Sequence, residues 1–143
     1  MSIKQISVFL ENRKGQLAET TSLLSDNGIN LRAISIAETA DYGVLRIIVD
    51  DAEKASQILL ANGNIITMTP VLVVGVSDEP AGLSTLLSLL SDGEIDIEYM
   101  YSLFTHTNGK AYMVFRVADE IAFAAHLASH NVRFATNEEL GLK

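Results

Sequence analysis

The chain has no cysteine, no tryptophan and only two prolines. Without thiols it can form no disulfide, give no thiolate to a metal and supply no cysteine nucleophile, although this alone leaves the compartment open. Basic residues are scarce. Ten Lys and Arg stand against eighteen Asp and Glu, a formal net charge of −8 at pH 7. No run of Lys or Arg forms a stripe that would attract phosphates, which argues against a nucleic-acid partner. No apolar run is long enough to span a bilayer, and Met1-Ser2-Ile3-Lys4-Gln5 enters alternating sequence without an apolar signal core. The expectation is a soluble, cytoplasmic protein with no membrane partner.

What is present is a globular composition, 48% hydrophobic and 20% charged over 143 residues, written as a repeat. Ser22-Leu23-Leu24-Ser25-Asp26-Asn27-Gly28-Ile29-Asn30-Leu31 returns 66 residues later as Ser88-Leu89-Leu90-Ser91-Asp92-Gly93-Glu94-Ile95-Asp96-Ile97. Further on the offset is 68, since Val117 and Asp119 answer Val49 and Asp51. Two residues are therefore inserted in the second copy. The turn Thr105-His106-Thr107-Asn108-Gly109 is their expected place, because loops absorb insertions with little change to packed elements. A domain of about 60 residues buries only ~60% of its unfolded surface, so two such halves gain by packing on each other or on another subunit. The expected division is residues 1–69 and 70–143, and Thr69-Pro70 is too short for a flexible tether.

Periodicity gives the elements of each half. Lys4 to Leu10 alternates with Ile6, Val8 and Leu10 on one side, a half-buried strand. Leu17, Thr21 and Leu24 then recur at helical spacing, and Asn27-Gly28 supplies a left-handed stop. Ile29–Glu38 and Val44–Val49 read as a hairpin around Asp41-Tyr42-Gly43. Asp50 or Asp51 caps a helix carrying Ala55, Ile58 and Leu59, and Ile65 to Thr69 is a short last strand. The second half repeats the order with strands over 71–76, 95–104, 110–117 and 132–135 and helices near 82–91 and 119–129. The fold class is α+β: two ferredoxin-like βαββαβ units, each an antiparallel sheet with both helices on one face, packed as a tandem pair. The other sheet face is left for solvent or a partner.

The loops that enter the first helix of each half, Glu11-Asn12-Arg13-Lys14-Gly15-Gln16-Leu17 and Ser77-Asp78-Glu79-Pro80-Ala81-Gly82-Leu83, place small residues where the helix begins. A glycine there lets ligand atoms approach the backbone, and free amides at a helix start favour a carboxylate; the same residues also suit an ordinary helix entry. These loops, followed by a Leu-rich helix and the strand entries Gly28-Ile29-Asn30-Leu31 and Glu94-Ile95-Asp96-Ile97, resemble the ACT domain over nearly the whole chain. The resemblance implies a free-standing tandem ACT protein, a non-catalytic regulatory sensor that binds an amino acid at the strand-to-helix loops near an interface between ACT-like domains. It departs from the frequent Asp-x-Pro-Gly pattern in both copies. Asn12-Arg13-Lys14-Gly15 keeps only the glycine, and Asp78-Glu79-Pro80-Ala81-Gly82 puts Ala81 in the place of Gly15, so unequal pockets are expected.

On that resemblance the ligand carboxylate sits at the amides of Gly15, Gln16 and Leu17, or of Ala81, Gly82 and Leu83. Ile34 and Ser35, or Tyr99, Met100 and Tyr101, line the pocket. Arg13 or Lys14 assists the carboxylate and Asp78 or Glu79 receives the ammonium group. Solvated loop charges are the other reading of these four, and an interface surface is the other reading of Tyr99 and Tyr101. No catalytic residue and no cofactor is expected. His126 and His130 have i, i+4 spacing on one helix, but no third ligand accompanies them, and His106 reads as a loop residue. A homodimer is expected, and the alternative function is a protein-interaction subunit with no small ligand.

Overall fold

The computed structural model of the chain describes residues 2–11, 13–38, 41–107 and 109–143. The chain divides into two compact units. One holds Lys4–Pro70 with Asn137–Lys143, and the other holds Val71–Thr136 with the first residues up to Ile3. They are called here the N-terminal and C-terminal units.

In the N-terminal unit the elements run β1 (Ile3–Glu11), α1 (Gln16–Asp26), β2 (Leu31–Glu38), β3 (Tyr42–Val49) and α2 (Ala52–Ala61). The central strand β3 pairs antiparallel with both β1 and β2. Ile6, Val8 and Leu10 form a buried cluster with Leu45, Ile47 and Val49 of β3, Leu24 of α1, and Ala55 and Leu59 of α2, which places both helices on one face of the sheet. The helix stripe is shifted from its sequence reading. Leu17 is 37% exposed and Thr20 is buried, its hydroxyl donating to the Gln16 carbonyl at 2.9 Å. Residues pointing away from the helices are buried as well, including Gln5, Ala33 and Ile48. The Gln5 Nε2 donates to Ser7 Oγ at 3.1 Å.

The C-terminal unit repeats the plan. The strand β4 (Ile65–Ser77) carries the boundary between the units, and α3 (Gly82–Asp92), β5 (Ile97–Thr107), β6 (Lys110–Val117) and α4 (Glu120–Ser129) follow. Here β6 is central, antiparallel to β4 and β5. Its core joins Leu72, Val74 and Val76 to Leu86 and Leu90 of α3 and to Phe123 and Leu127 of α4. The Phe123 ring lies 5.6 Å from Phe115 and 5.5 Å from Phe134 between centroids. Asp51 and Asp119, the acids expected at the second helix of each half, cap α2 and α4 by accepting from the amides of Lys54 (3.2 Å) and Ala122 (3.0 Å). Asp50 instead accepts from the amide of Asn30 at 3.0 Å.

Three expectations are corrected. The segments expected as separate strands over 65–69 and 71–76 are one continuous strand. The expected final strand over 132–135 shrinks to one bridge, Phe134 with Val74, plus the Ala135 amide donating to the Val73 carbonyl at 2.8 Å. A ladder has no length to build there, because the chain turns at once into a short helix, α5 (Asn137–Leu140), whose Leu140 is buried. The third correction concerns the inserted pair. Ser102 faces Met113 but His106 faces Ala111, so four steps along β5 match two along β6. The extra residues form a bulge inside β5, not a longer turn. An even insertion keeps every side chain on its own face, which is why the strand pattern survives it. The hairpin position Asn108 lies outside the described residues. A one-residue irregularity at the start of β2, between Leu31 and Ala33, recurs between Ile97 and Tyr99 in β5 and so belongs to the duplicated plan.

Candidate functional site

Each unit has a cavity at the end of its first strand. In the N-terminal unit it encloses about 260 Å³ between Phe9, Leu10 and Glu11 of β1, Gln16 at the start of α1, Asp41 and Tyr42 before and in β3, and Gly63, Asn64 and Ile65. In the C-terminal unit it encloses about 310 Å³ between Gly75, Val76 and Ser77 of β4, Glu79, Ala81 and Gly82, Thr85, Leu86 and Leu89 of α3, and Val132. The linings correspond through the repeat. Phe9, Leu10, Glu11 and Gln16 answer Gly75, Val76, Ser77 and Gly82 at the offset of 66, and Asn64 answers Val132 at 68.

The helices at these cavities begin differently from their neighbours. Neither Gly15, ahead of α1, nor Ala81, ahead of α3, makes a side-chain capping bond, whereas α2 and α4 are capped by aspartate. A helix start without a cap leaves amide donors and the positive end of the macrodipole for another acceptor. Part of that potential is taken internally. The Gly82 amide donates to the Glu79 carbonyl at 3.0 Å, and the Gln16 amide reaches the Arg13 carbonyl at 3.4 Å.

The two glycines serve unlike purposes. Gly15 has φ +87°, a left-handed conformation, and a Cβ built on it would meet nothing within 4 Å. Its counterpart Ala81 has φ −92°. At Gly82 a Cβ would fall 1.8 Å from the Ser77 carbonyl oxygen, so the end of β4 can meet the start of α3 only through a residue without a side chain.

Chemically the cavities diverge. The N-terminal one is the more acidic: the carboxylates Glu11 and Asp41 line it, the Asn64 Oδ1 already accepts from the Asn62 Nδ2 at 2.9 Å, and the Gln16 Oε1 is buried with no hydrogen-bond partner among the described residues. Such an atom favours a donor, because an unpaired buried acceptor costs about 1–3 kcal/mol. Phe9, tilted against Tyr42 at 6.0 Å, stands where the other copy has Gly75, over which the Tyr112 ring lies, 3.2 Å from where a Cβ would be. The C-terminal cavity has one carboxylate, Glu79, the Ser77 and Thr85 hydroxyls, and an apolar wall of Val76, Leu86, Leu89 and Val132.

Of the residues singled out in the sequence, Gln16, Glu79, Ala81 and Gly82 line these cavities. Arg13 is exposed and bound to Glu19 by paired contacts of 3.1 and 2.9 Å, which raise the Arg13 pKa and lower that of Glu19 through their hydrogen bonds and mutual charge. Lys14, Asp78 and Leu83 are exposed outside the linings, as are Gly15 and the partly exposed Leu17. Ile34 and Met100 pack on the cores of their units, Ser35 is half-buried, and Tyr99 stacks on Tyr101 at 6.5 Å; none of the five lines either cavity. Asn12 lies outside the described residues. Sequence reasoning missed Asp41, Asn64 and Val132, which come from other loops at the same end of the sheet; extending the repeat offsets past the first loop would have linked Asn64 to Val132. The His126 Nε2 lies 2.7 Å from the Leu89 carbonyl, and the His130 Nδ1 lies 3.0 Å from the His126 carbonyl, so these ring nitrogens are engaged by the protein.

A duplicated split βαβ module, with the two principal helices of each unit on one face of its paired strands and matching cavities at each first loop, defines a class of paired small domains. The chain belongs to the ACT domain family: a family model described as an ACT domain pair matches residues 1–142. A Bacteroides thetaiotaomicron protein of known crystal structure is 37% identical with a TM-score of 0.89, covering 99% of this chain and 96% of its own. The regulatory subunit of aspartate kinase from Thermus thermophilus, in a ligand-free form, shares the fold at a TM-score of 0.63 and 20% identity, covering 90% and 91% of the two chains. The corresponding subunit from Thermus flavus has a TM-score of 0.58 at 19% identity, with 90% of each chain covered. No curated protein matches the chain. No helix among the described residues is long and apolar enough to cross a membrane.

Proposed function

We propose that the chain is a non-catalytic regulatory sensor that binds a free amino acid in the cavities beside α1 and α3 and acts as a homodimer. The observation that carries this reading is the coincidence, in both copies, of a cavity with the first helix of the unit, whose N-cap residue makes no side-chain hydrogen bond. An α-carboxylate suits the first-turn amides, and an α-ammonium suits Glu11, Asp41 and the Gln16 Oε1 in one copy or Glu79 in the other. Volumes near the lower end of small-molecule sites, about 300 Å³, favour a ligand of amino-acid size. The apolar wall of Val76, Leu86, Leu89 and Val132 suits an aliphatic side chain, while the N-terminal cavity suits a small or polar one. The fold neighbours that are regulatory subunits agree with a role of this kind.

A thermal-shift screen with the common amino acids tests the proposal. A ligand of the folded state adds RT ln(1 + [L]/Kd), about 2.7 kcal/mol at a hundredfold excess over Kd, so at least one amino acid should raise the melting temperature by several degrees. Flat melting curves with every amino acid would leave the interaction-subunit reading in its place.

A further inference from the structure

The chain leaves each unit at the same place in the repeat. Pro70 is the last residue of the N-terminal unit before the chain passes into the C-terminal one, and Thr136, at the offset of 66, is the last before it passes back. The two passages differ in form. After Pro70 the backbone stays extended as β4, whereas after Thr136 it coils into α5, and Asn137–Lys143 belong to the N-terminal unit.

This segment is anchored at both ends. It departs from the C-terminal core, where Phe134 stacks on Phe123, Phe134 bridges Val74 and the Ala135 amide donates to the Val73 carbonyl at 2.8 Å. It arrives at the start of α2. Leu140 is 1% exposed, the Lys143 amide donates to the Asp50 carbonyl at 2.9 Å, and the Lys143 Nζ lies 3.7 Å from the Asp51 Oδ2. Asp51 is the N-cap of α2, and Asp50 ties that helix to the chain ahead of β2, its amide donating to the Asn30 carbonyl at 3.1 Å and its carboxylate accepting from the Asn30 amide. A helix of four residues has no stability of its own, so α5 is either docked or melted, and the burial of Leu140 decides between the two.

We infer that residues 137–143 are a strap that runs from the C-terminal unit and closes the N-terminal one. Docked, the strap holds the first turn of α2. Released, it leaves α2 free to open locally while the C-terminal unit stays folded. The consequence reaches a cavity, because α2 leads directly into Gly63, Asn64 and Ile65, which wall the N-terminal cavity. The C-terminal cavity has its wall residue Val132 ahead of the strap and keeps it. None of this depends on what either cavity binds.

Amide hydrogen exchange of the full chain, read by mass spectrometry without any ligand, tests the strap. Leu140→Ala should speed exchange of the α2 amides at least about tenfold and change those of α3 and α4 by less than about threefold. Leu140→Met, which conserves volume, should leave all three helices close to the wild type. Unchanged exchange in α2 of the Leu140→Ala variant would overturn the strap. Equal loss of protection in α2, α3 and α4, up to failure to fold, would overturn it as well, by placing Leu140 in one common core.

Discussion

At four residues the duplication compares one backbone with different side chains. Gly28 and Gly63 leave α1 and α2 with φ of +75° and +86°, and the residues at the same places after α3 and α4, Glu94 and Asn131, have φ of +55° and +59°. A left-handed conformation costs a residue with a Cβ roughly 1–2 kcal/mol, and asparagine tolerates it best. Glycine gives back about 0.5–1 kcal/mol through the unfolded chain, so Glu94→Gly should stabilise by about 0.5–1 kcal/mol in urea titration, and Asn131→Gly by less. A destabilised Glu94→Gly would contradict that backbone. The loop glycines separate in the same way. Gly15→Ala meets only left-handed strain, about 1–2 kcal/mol, whereas Gly82→Ala drives a methyl into the Ser77 carbonyl and should cost more than about 2 kcal/mol. Equal losses would show that the β4–α3 contact is looser than 1.8 Å implies. Both positions were legible in the sequence as glycines at a helix start. The difference between them was not, because one depends on a dihedral angle and the other on the distance to a residue five positions away. The exposed Arg13–Glu19 pair adds a small pH dependence. The Glu19 pKa lies below its ordinary 4.5, so whatever the pair contributes is present above that value and lost as the pH falls through the lowered one.

Among the elements, periodicity located every strand and helix that has a long amphipathic pattern. It failed where the pattern was short or where pairing decided the outcome. Val132 to Ala135 carries strand-like residues, yet strand character needs a partner ladder, and only the Val74–Phe134 bridge forms before α5 begins. The inserted pair was visible as an offset of two, but its place inside β5 depends on cross-strand register, which a single strand does not encode. That register makes a prediction. Deleting Phe104 and Thr105 together should keep the alternation that leaves Leu103 2% exposed, whereas deleting Thr105 alone puts the strand ahead of the cut out of step with its β6 partners by one residue. The double deletion should fold with a melting temperature within several degrees of the wild type, and the single deletion should be the less stable of the two. The reverse order would contradict the bulge.

For the whole molecule, the repeat accounts for both the paired units and the paired cavities. The half of the candidate site that lies on the strand-to-helix loop was legible: Gln16, Glu79, Ala81 and Gly82 line the cavities. Asp41, Asn64 and Val132 were not, because they reach the site through the topology of the sheet and not through a local motif. The expected inequality of the copies has a physical form, with Phe9 and the carboxylates Glu11 and Asp41 in one cavity and Gly75 and an aliphatic wall in the other. The most direct test of the central claim is calorimetric titration of the common amino acids into the wild type and into a Gln16→Leu, Thr85→Leu double variant, which removes the Gln16 acceptor from one cavity and the Thr85 hydroxyl from the other. The prediction is saturable binding of at least one amino acid by the wild type and a loss of at least tenfold in affinity in the folded double variant. No binding of any amino acid, or undiminished binding in the double variant, would contradict it.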